Sequence, residues 1–369
     1  MAERAADGGP PLRIAMVAPV AWACPPRAYG PWEAATSTLT EALVARGHDV
    51  TLYAAGGSRT AGRLRATVPA PYEEDRSLDP KASEALHLGA AMAEAGGFDV
   101  VHAQCDFPAL PFAPLIRPPL FVTIHGLGPP EVRARTLPVW RAYQGLAHYV
   151  AISEADRHPD LRYAATIHHG LRLSDWPFAD PGPDAPLVFF GRSHPEKGPA
   201  EAIACARATG APLLMAGIVQ DAAHHAARVA PHVDGAAVRW LGPVGGGARA
   251  RLLGSARALL HLIAFDEPFG LSVAEAMACG TPVIATRRGA MPELIEDGVT
   301  GFLLDDPSEA PAAVARLPGI DRRACRARAR RLFTDARMAA AHEALYRRLL
   351  QARADAPRSG GDAAERSER

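Results

Sequence analysis

The chain has 369 residues, 48% of them apolar, with forty basic and forty acidic side chains that cancel. Such a length fits two domains of ordinary size, and zero net charge supplies no long-range field to gather nucleic acid or an anionic membrane. The five cysteines (Cys24, Cys105, Cys205, Cys279, Cys325) stand singly, without disulfide or metal-ligand spacing, so a reducing, cytoplasmic setting is expected.

Residues 1–11 carry no apolar h-region and are expected to be disordered rather than a signal peptide. No run approaches eighteen apolar residues, so no spanning helix is expected. The apolar run 12–18, closed by Pro19, predicts a buried strand. A loop rich in Pro and aromatics follows and ends Tyr29-Gly30-Pro31-Trp32-Glu33. Residues 33–46 show helical apolar spacing and stop at Gly47, and 49–54 predicts a second strand. Strand, helix, strand is a βαβ unit, which implies a parallel sheet. The rhythm continues with a helix over 82–95 and strands over 99–103 and 120–125, the last ending in His125. A helix over 136–146 and a strand over 148–152 complete it. The pattern breaks over 164–183, and the Pro/Asp/Gly-rich segment 175–186 is expected to link two domains.

A second series begins at 187–190, followed by Gly191-Arg192 and Glu196-Lys197-Gly198. Helices over 199–209 and 246–254 alternate with strands over 212–216, 237–241 and 258–263. The run Gly245-Gly246-Gly247 before Ala248-Arg249 has the composition of a flexible turn. Helices over 321–333 and 336–352 close the chain. The expected layout is an α/β chain of two doubly wound domains facing one another across a cleft. Residues 12–180 form the first, 181–335 the second, 336–353 a helix returning to the first, and 354–369 a disordered tail.

Residues 265–285 hold the densest chemistry. Glu267 precedes a Pro268-Phe269-Gly270 turn, and Glu275 sits on the short Ala-rich helix behind it. Free amides at that helix start welcome a phosphate, and Glu275 lies roughly 6–8 Å further along. A diphosphate capping the helix would therefore present one end to each carboxylate. Arg192 and Lys197, after the first strand of the second domain, supply cations for it, with charge-assisted hydrogen bonds worth about 1.5–3 kcal/mol each. His125 ends a strand opposite Glu267. No G-x-G-x-x-G follows the first strand, no P-loop occurs, and neither Asp-x-Asp nor His-Glu-x-x-His is present, so no cofactor and no essential metal are expected.

With these residues assembled, the chain resembles the family 4 retaining glycosyltransferases, which have the GT-B fold of two Rossmann-like domains with C-terminal helices crossing back. The resemblance rests on Glu267 to Glu275 followed by Ala-Met-Ala-Cys-Gly-Thr-Pro-Val, on Gly191-Arg192 with Glu196-Lys197-Gly198, on 298–303, and on 29–33 and 46–52. The turn 56–60 resembles the branch that includes antibiotic-pathway transferases of the avilamycin type. The resemblance implies a metal-independent enzyme transferring a hexose from a nucleotide-diphosphate sugar to a small molecule, glycan or lipid-linked acceptor. Arg192 and Lys197 would bind the diphosphate, with Gly30 contributing from the N-terminal loop, and Glu275 the ribose. Glu267, Pro268 and the amides of Phe269, Gly270 and Leu271 would hold the sugar and phosphate. Glu267 and His125 would stand at the reacting sugar, and Val244 would flank the base. Departures are Pro31 where the family pairs glycines, His169 before Gly170, and Ile218 after Ala216-Gly217.

Three other expectations stand beside this one. A retaining phosphorylase or a sugar-nucleotide epimerase would use the same fold, and a non-catalytic nucleotide-sugar-binding subunit would use the same donor site. The arginine-rich run 322–331 has the composition of a solvated face that could make weak peripheral contact with acidic phospholipid.

Overall fold

The computed structural model describes residues 9–355. Seven strands form the first sheet: β1 (Arg13–Val17), β2 (Asp49–Ala55), β3 (Arg63–Val68), β4 (Val100–Ala103), β5 (Leu120–Ile124), β6 (Ala147–Ala151) and β7 (Tyr163–Thr166). Their spatial order is β3-β2-β1-β4-β5-β6-β7, every neighbouring pair parallel. Helices α1 (Pro31–Ala45), α2 (Pro80–Ala93) and α3 (Pro130–Tyr143) make the main crossovers. The second sheet has β8 (Leu187–Phe190), β9 (Leu213–Ala216), β10 (Val238–Trp240), β11 (Ala258–His261), β12 (Val283–Thr286) and β13 (Gly301–Leu304). These also run parallel, in the order β10-β9-β8-β11-β12-β13. Helices α4 (Pro199–Thr209), α5 (Ala222–His224), α6 (Gly246–Gly254), α7 (Leu271–Ala278), α8 (Met291–Leu294) and α9 (Ala310–Arg316) surround it, before α10 (Arg322–Leu332) and α11 (Asp335–Asp355).

Ile14 to Val17 and Val283 to Ala285 are wholly buried, as continuous apolar strands must be when helices cover both faces of a parallel sheet. In each sheet the strand order reverses once, between β1 and β4 and between β8 and β11. The loops leaving those carboxyl ends diverge and open a crevice. That is where the fold places its site.

Two edge strands were not expected. β3 is mostly exposed and spells Arg-Leu-Arg-Ala-Thr-Val, so its charges, suited to an edge, obscured the strand. β7 lies where the pattern was expected to break. Helix α3 starts six residues before its expected start at 136 because Pro130 occupies the first helical position, where its missing amide costs nothing. The triple glycine is no free turn: Gly245 precedes α6, and a Cβ there would stand 2.3 Å from the Arg27 carbonyl of the first domain. Most of the expected terminal disorder lies outside the described residues, but residues 354 and 355 belong to α11.

The chain crosses between the sheets twice, side by side. The Leu171 amide donates to the Phe333 carbonyl at 2.8 Å, and the Asp335 amide to the Leu171 carbonyl at 3.1 Å. A side chain at Gly170 would strike Thr334 and Asp335 at 2.6–2.8 Å. Helix α11 then lays Met338, Leu345 and Tyr346 against Leu39 and Leu43 of α1, in the core of the first domain. The arginine-rich α10 is only partly a solvated face. Arg322 donates to the carbonyls of Ala179, Gly254 and Ala256, Arg326 to those of Leu173, Trp176 and Ala278, and Arg328 to those of Glu293 and Leu294. Arg323, Arg330 and Arg331 remain exposed.

Candidate active site

The crevice between the two domains is a cleft of about 930 Å³. His125, Arg192, Lys197, Glu267, Pro268, Phe269, Gly270 and Leu271, all expected from the sequence, line it. Gly30, Val244 and Glu275 do not. Gly30 is buried beneath its loop, between Pro26, Glu33 and Trp22, while its neighbours Tyr29 and Pro31 reach the cleft. Val244 rests against the second-domain core.

Helix α7 presents an uncapped start to the cleft. Gly270 adopts φ 96°, a left-handed conformation open to glycine at little cost. The first helical bonds run from the Val273 and Ala274 amides to the Gly270 carbonyl, and no side chain caps the end. The Leu271 and Ser272 amides therefore precede the ladder and face the positive end of the helix dipole. Pro31 plays a different part. It is the first residue of α1, where an amide would be an orphan in any case, so the proline costs the fold nothing there.

Glu267 is tied down from three sides. Its Oε2 accepts from Lys197 Nζ at 2.5 Å and lies 3.4 Å from His261 Nε2 on β11. Its carbonyl accepts from the Ala290 amide at 2.9 Å. The 288–289 loop runs so close beneath it that a Cβ on Gly289 would meet the Glu267 carbonyl oxygen at 2.3 Å. Burial alone would raise this carboxyl, but the Lys197 charge above all, with the His261 ring close by, outweighs it and holds the pKa at about 2. The group is an anion at any working pH. Lys197 also lies 4.5 Å from the centroid of the Phe265 ring.

Glu275 is 4% exposed and paired with Arg249, which itself lines the cleft. Burial pushes its carboxyl up against the pull of Arg249. The contact is close but badly directed for hydrogen bonding: Glu275 Oε2 and Arg249 Nε both lack a directed partner. Arg249 is sandwiched near Phe190, 4.5 Å from the ring centroid. Arg192, which also lines the cleft, is held by the Gln220 side-chain oxygen.

Across the cleft, His125 lies flat between Trp32 at 5.1 Å and His169 at 5.2 Å. Its Nε2 meets Gln104 Oε1 at 2.9 Å, which places the proton on Nε2 and a lone pair on Nδ1. Nδ1 has no protein partner. Burial lowers the pKa to about 3, so the imidazole is neutral and offers a hydrogen-bond acceptor. A Cβ on Gly126 would lie 2.7 Å from Pro268 Cγ, so the two domains meet at the very turn that carries Glu267.

Sequence reasoning missed Arg249, Arg288, His261 and Glu293. Arg288 has the same strand-end position that exposed the others, after β12. His261 ends β11 as His125 follows β5. Glu293 of α8 accepts from the amides of Glu154 at 3.1 Å and Ala155 at 2.7 Å and from His168 at 3.0 Å, joining the domains. Nothing in its local sequence signals that reach. Among the described residues no group of three His, Cys, Asp or Glu side chains is placed to hold a metal ion, and no helix is long and apolar enough to cross a membrane.

Two family models match the chain: "Glycosyltransferase Family 4" over residues 33–170 and "Glycosyl transferases group 1" over residues 185–318. Glycogen synthase of Mycobacterium tuberculosis is 29% identical over 406 aligned positions, covering 88% of this chain and 91% of that protein. D-inositol 3-phosphate glycosyltransferase of Actinosynnema mirum is 41% identical, but over 88 residues that span only 21% of its length. Among solved structures, a glycosyltransferase involved in avilamycin A biosynthesis superposes with a TM-score of 0.68 at 24% identity, covering 92% of this chain and 98% of that one. Sucrose-phosphate synthase from Thermosynechococcus elongatus gives 0.76 at 21%, covering 92% and 100%. An Anabaena protein in complex with UDP-glucose gives 0.70 at 18%, covering 92% and 100%.

Proposed function

We propose that this chain, which belongs to the family 4 type of glycosyltransferases with the GT-B fold, transfers a hexose from a nucleotide-diphosphate sugar with retention of anomeric configuration and without an essential metal. The observation that carries the donor reading is the convergence on one cleft of two cations, Arg192 and Lys197, with the uncapped start of α7. A diphosphate needs that combination of charge and amides when no metal screens it. Neighbours of the same fold have been solved with UDP-glucose, and with ADP and acarbose, which supports a nucleotide-sugar donor here.

In this reading Lys197 and Arg192 grip the diphosphate, and the Leu271 amide caps it. Glu267, locked as an anion, accepts hydrogen bonds from sugar hydroxyls. The His125 Nδ1 lone pair accepts one more from the first-domain side. Glu275 lies behind Arg249 rather than on the cleft surface, so its carboxylate would meet the ribose hydroxyls once Arg249 swings aside. The acceptor oxygen then attacks the anomeric carbon from the face the diphosphate leaves. The bond to the phosphate oxygen breaks with its electron pair, and that oxygen takes the acceptor's proton. Neutral His125 and anionic Glu267 stabilise the cationic centre without forming a covalent bond. Their work is preorganised electrostatics and positioning.

The test is to incubate the chain with UDP-, ADP- and GDP-sugars and follow nucleotide release, then to read the product anomer by NMR. Release from at least one donor with an anomer matching it supports the reading. Inverted product overturns retention, and loss of activity on chelation that metal restores overturns metal independence. Sugar-1-phosphate formation that requires inorganic phosphate and no nucleotide would make the chain a phosphorylase instead.

A further inference from the structure

A second cavity, of about 300 Å³, lies in the first domain behind the donor cleft. Tyr29, Pro31 and Trp32 line both spaces, and Trp32 is stacked on His125 at 5.1 Å. A molecule in the cavity therefore abuts the wall at which the cleft presents His125.

Its lining has two features. The walls are mainly aromatic and aliphatic faces: Trp22, Tyr29, Trp32, Tyr72 and Leu88. The ionisable groups are of one sign. Glu33 and Glu84 line the cavity, and none of the lining residues is Lys or Arg. Its histidine, His87, is spoken for: Nε2 donates to the Ala18 carbonyl at 2.8 Å, Nδ1 accepts from the Thr67 hydroxyl, and burial holds its pKa at about 4. Glu33 is 2% exposed and takes one hydrogen bond, from the Trp22 amide to Oε1 at 3.1 Å. Glu84 accepts from the Tyr72 hydroxyl at 3.1 Å. Each carboxyl group retains further acceptor capacity. Burial raises the Glu33 pKa to about 7, and a cationic ligand beside it would draw it back toward the ionised form.

We propose that this cavity is the acceptor subsite, and that it takes a compact hydroxylated ring compound that is neutral or carries an amine, and rejects acceptors bearing phosphate or carboxylate. The inference rests on the glycosyltransferase reading above and narrows its acceptor. At about 300 Å³ the volume is at the small end of ligand pockets and suits one or two rings rather than a glycan chain. An anion placed here would face Glu33 and Glu84 with no counter-charge in a low-dielectric wall, which is costly. Aromatic faces favour rings and cations.

A matched set tests it: tyrosol, tyramine and p-hydroxyphenylacetate, which share a phenol ring and differ in the terminal group. Binding is followed by saturation-transfer NMR at millimolar concentration. Tyrosol and tyramine are expected to bind, and the carboxylate at least tenfold more weakly. Leu88→Trp, which fills the cavity, is expected to abolish the signals, and Glu33→Gln to cost tyramine more than tyrosol. Should Leu88→Trp fail to fold, Glu33→Gln alone decides the point through that change in preference. The proposal is overturned if none of the three binds, if the carboxylate binds as well as the amine, or if neither variant alters binding. Thermal stabilisation of the wild-type chain by UDP, ADP and GDP is measured separately. Its absence would sink the donor reading and leave the cavity result standing on its own.

Discussion

Replacing Lys197 by Ala probes both the stability of the site and its proposed chemistry. The ammonium is 2.5 Å from Glu267 Oε2, and each side chain is 14% exposed. Breaking a fully buried pair from one side costs about 3–5 kcal/mol. The residual exposure discounts that to roughly 2–3 kcal/mol, because water reaches the orphaned carboxylate. Adding Glu267→Gln to the same chain removes the orphaned charge and should recover most of the loss in urea melts. In the proposed reaction the same lysine would face charge developing on the leaving diphosphate, where loss of one preorganised donor costs about 2.7–4 kcal/mol. That corresponds to a fall of about 10²–10³ in kcat/KM for nucleotide release from a donor that the wild-type chain uses. Unlike stability, activity should not return in the double variant. A Lys197→Ala chain that keeps activity within about tenfold of wild type and is still stabilised equally by nucleoside diphosphate would refute a diphosphate-binding role. Recovery of activity along with stability would refute the argument in a different way, by making Lys197 a structural residue only.

Three further outcomes follow from the same geometry. His125→Phe keeps the stack on Trp32 and His169 but removes the Nδ1 lone pair, and about a tenfold to hundredfold fall in kcat is expected. The wild-type rate should show no ionisation of this ring between pH 5 and 8, since burial holds it at about 3. Glu293→Gln weakens the charged contacts to Glu154, Ala155 and His168, each worth about 1.5–3 kcal/mol with an ionised acceptor. Small-angle scattering should then show a more open molecule and the donor KM should rise severalfold, whereas an unchanged radius of gyration would mean that other contacts set closure. His342 is buried on α11, with Nδ1 donating to the Met338 carbonyl, Nε2 unpartnered, and burial lowering its pKa to about 4. Because the folded pKa lies below the unfolded value of about 6.5, its contribution is intact above that value and lost as pH falls from about 6.5 toward 4. Wild type should therefore lose about 2 kcal/mol more than His342→Leu between pH 7 and pH 5 in paired urea melts, and parallel pH profiles would exclude the ring as a source of acid lability.

The strand-end positions were legible because a parallel α/β sheet gives them away. Each βα junction marked by a charged or imidazole side chain, at His125, Lys197 and Glu267, opens onto the one cleft. What sequence could not carry was depth and partnership. Glu275 is one turn inside α7, yet whether it meets the cleft depends on Arg249, which arrives from α6, a helix the sequence shows but whose place against Glu275 no local pattern reports. Glu293 acts through a contact 139 residues away in the chain, on backbone amides that have no side-chain signature. The edge strand β3 was hidden for the opposite reason: its Arg-Leu-Arg pattern satisfies solvent and gives no apolar run. Local patterns report burial and chain direction, but not which of several buried charges has the exit.

Three of the cations that line the cleft are engaged with internal partners. Lys197 sits on Glu267, Arg249 on Glu275 and Arg192 on Gln220. Two of these are ion pairs, while Arg192 is held by a neutral amide and keeps a full positive charge. A donor would therefore compete with Glu267 for Lys197 and with Glu275 for Arg249, but with no carboxylate for Arg192. A monophosphate that meets only one of them gains one exchange and leaves a carboxylate exposed to its own charge. On the proposed function a nucleotide-diphosphate sugar would gain Arg192 and Lys197 together, and its sugar hydroxyls would satisfy the Glu267 oxygen that the lysine releases. On that reading the pairing of cations with carboxylates would work as discrimination, since specificity comes from leaving the wrong ligand's contacts unpaired.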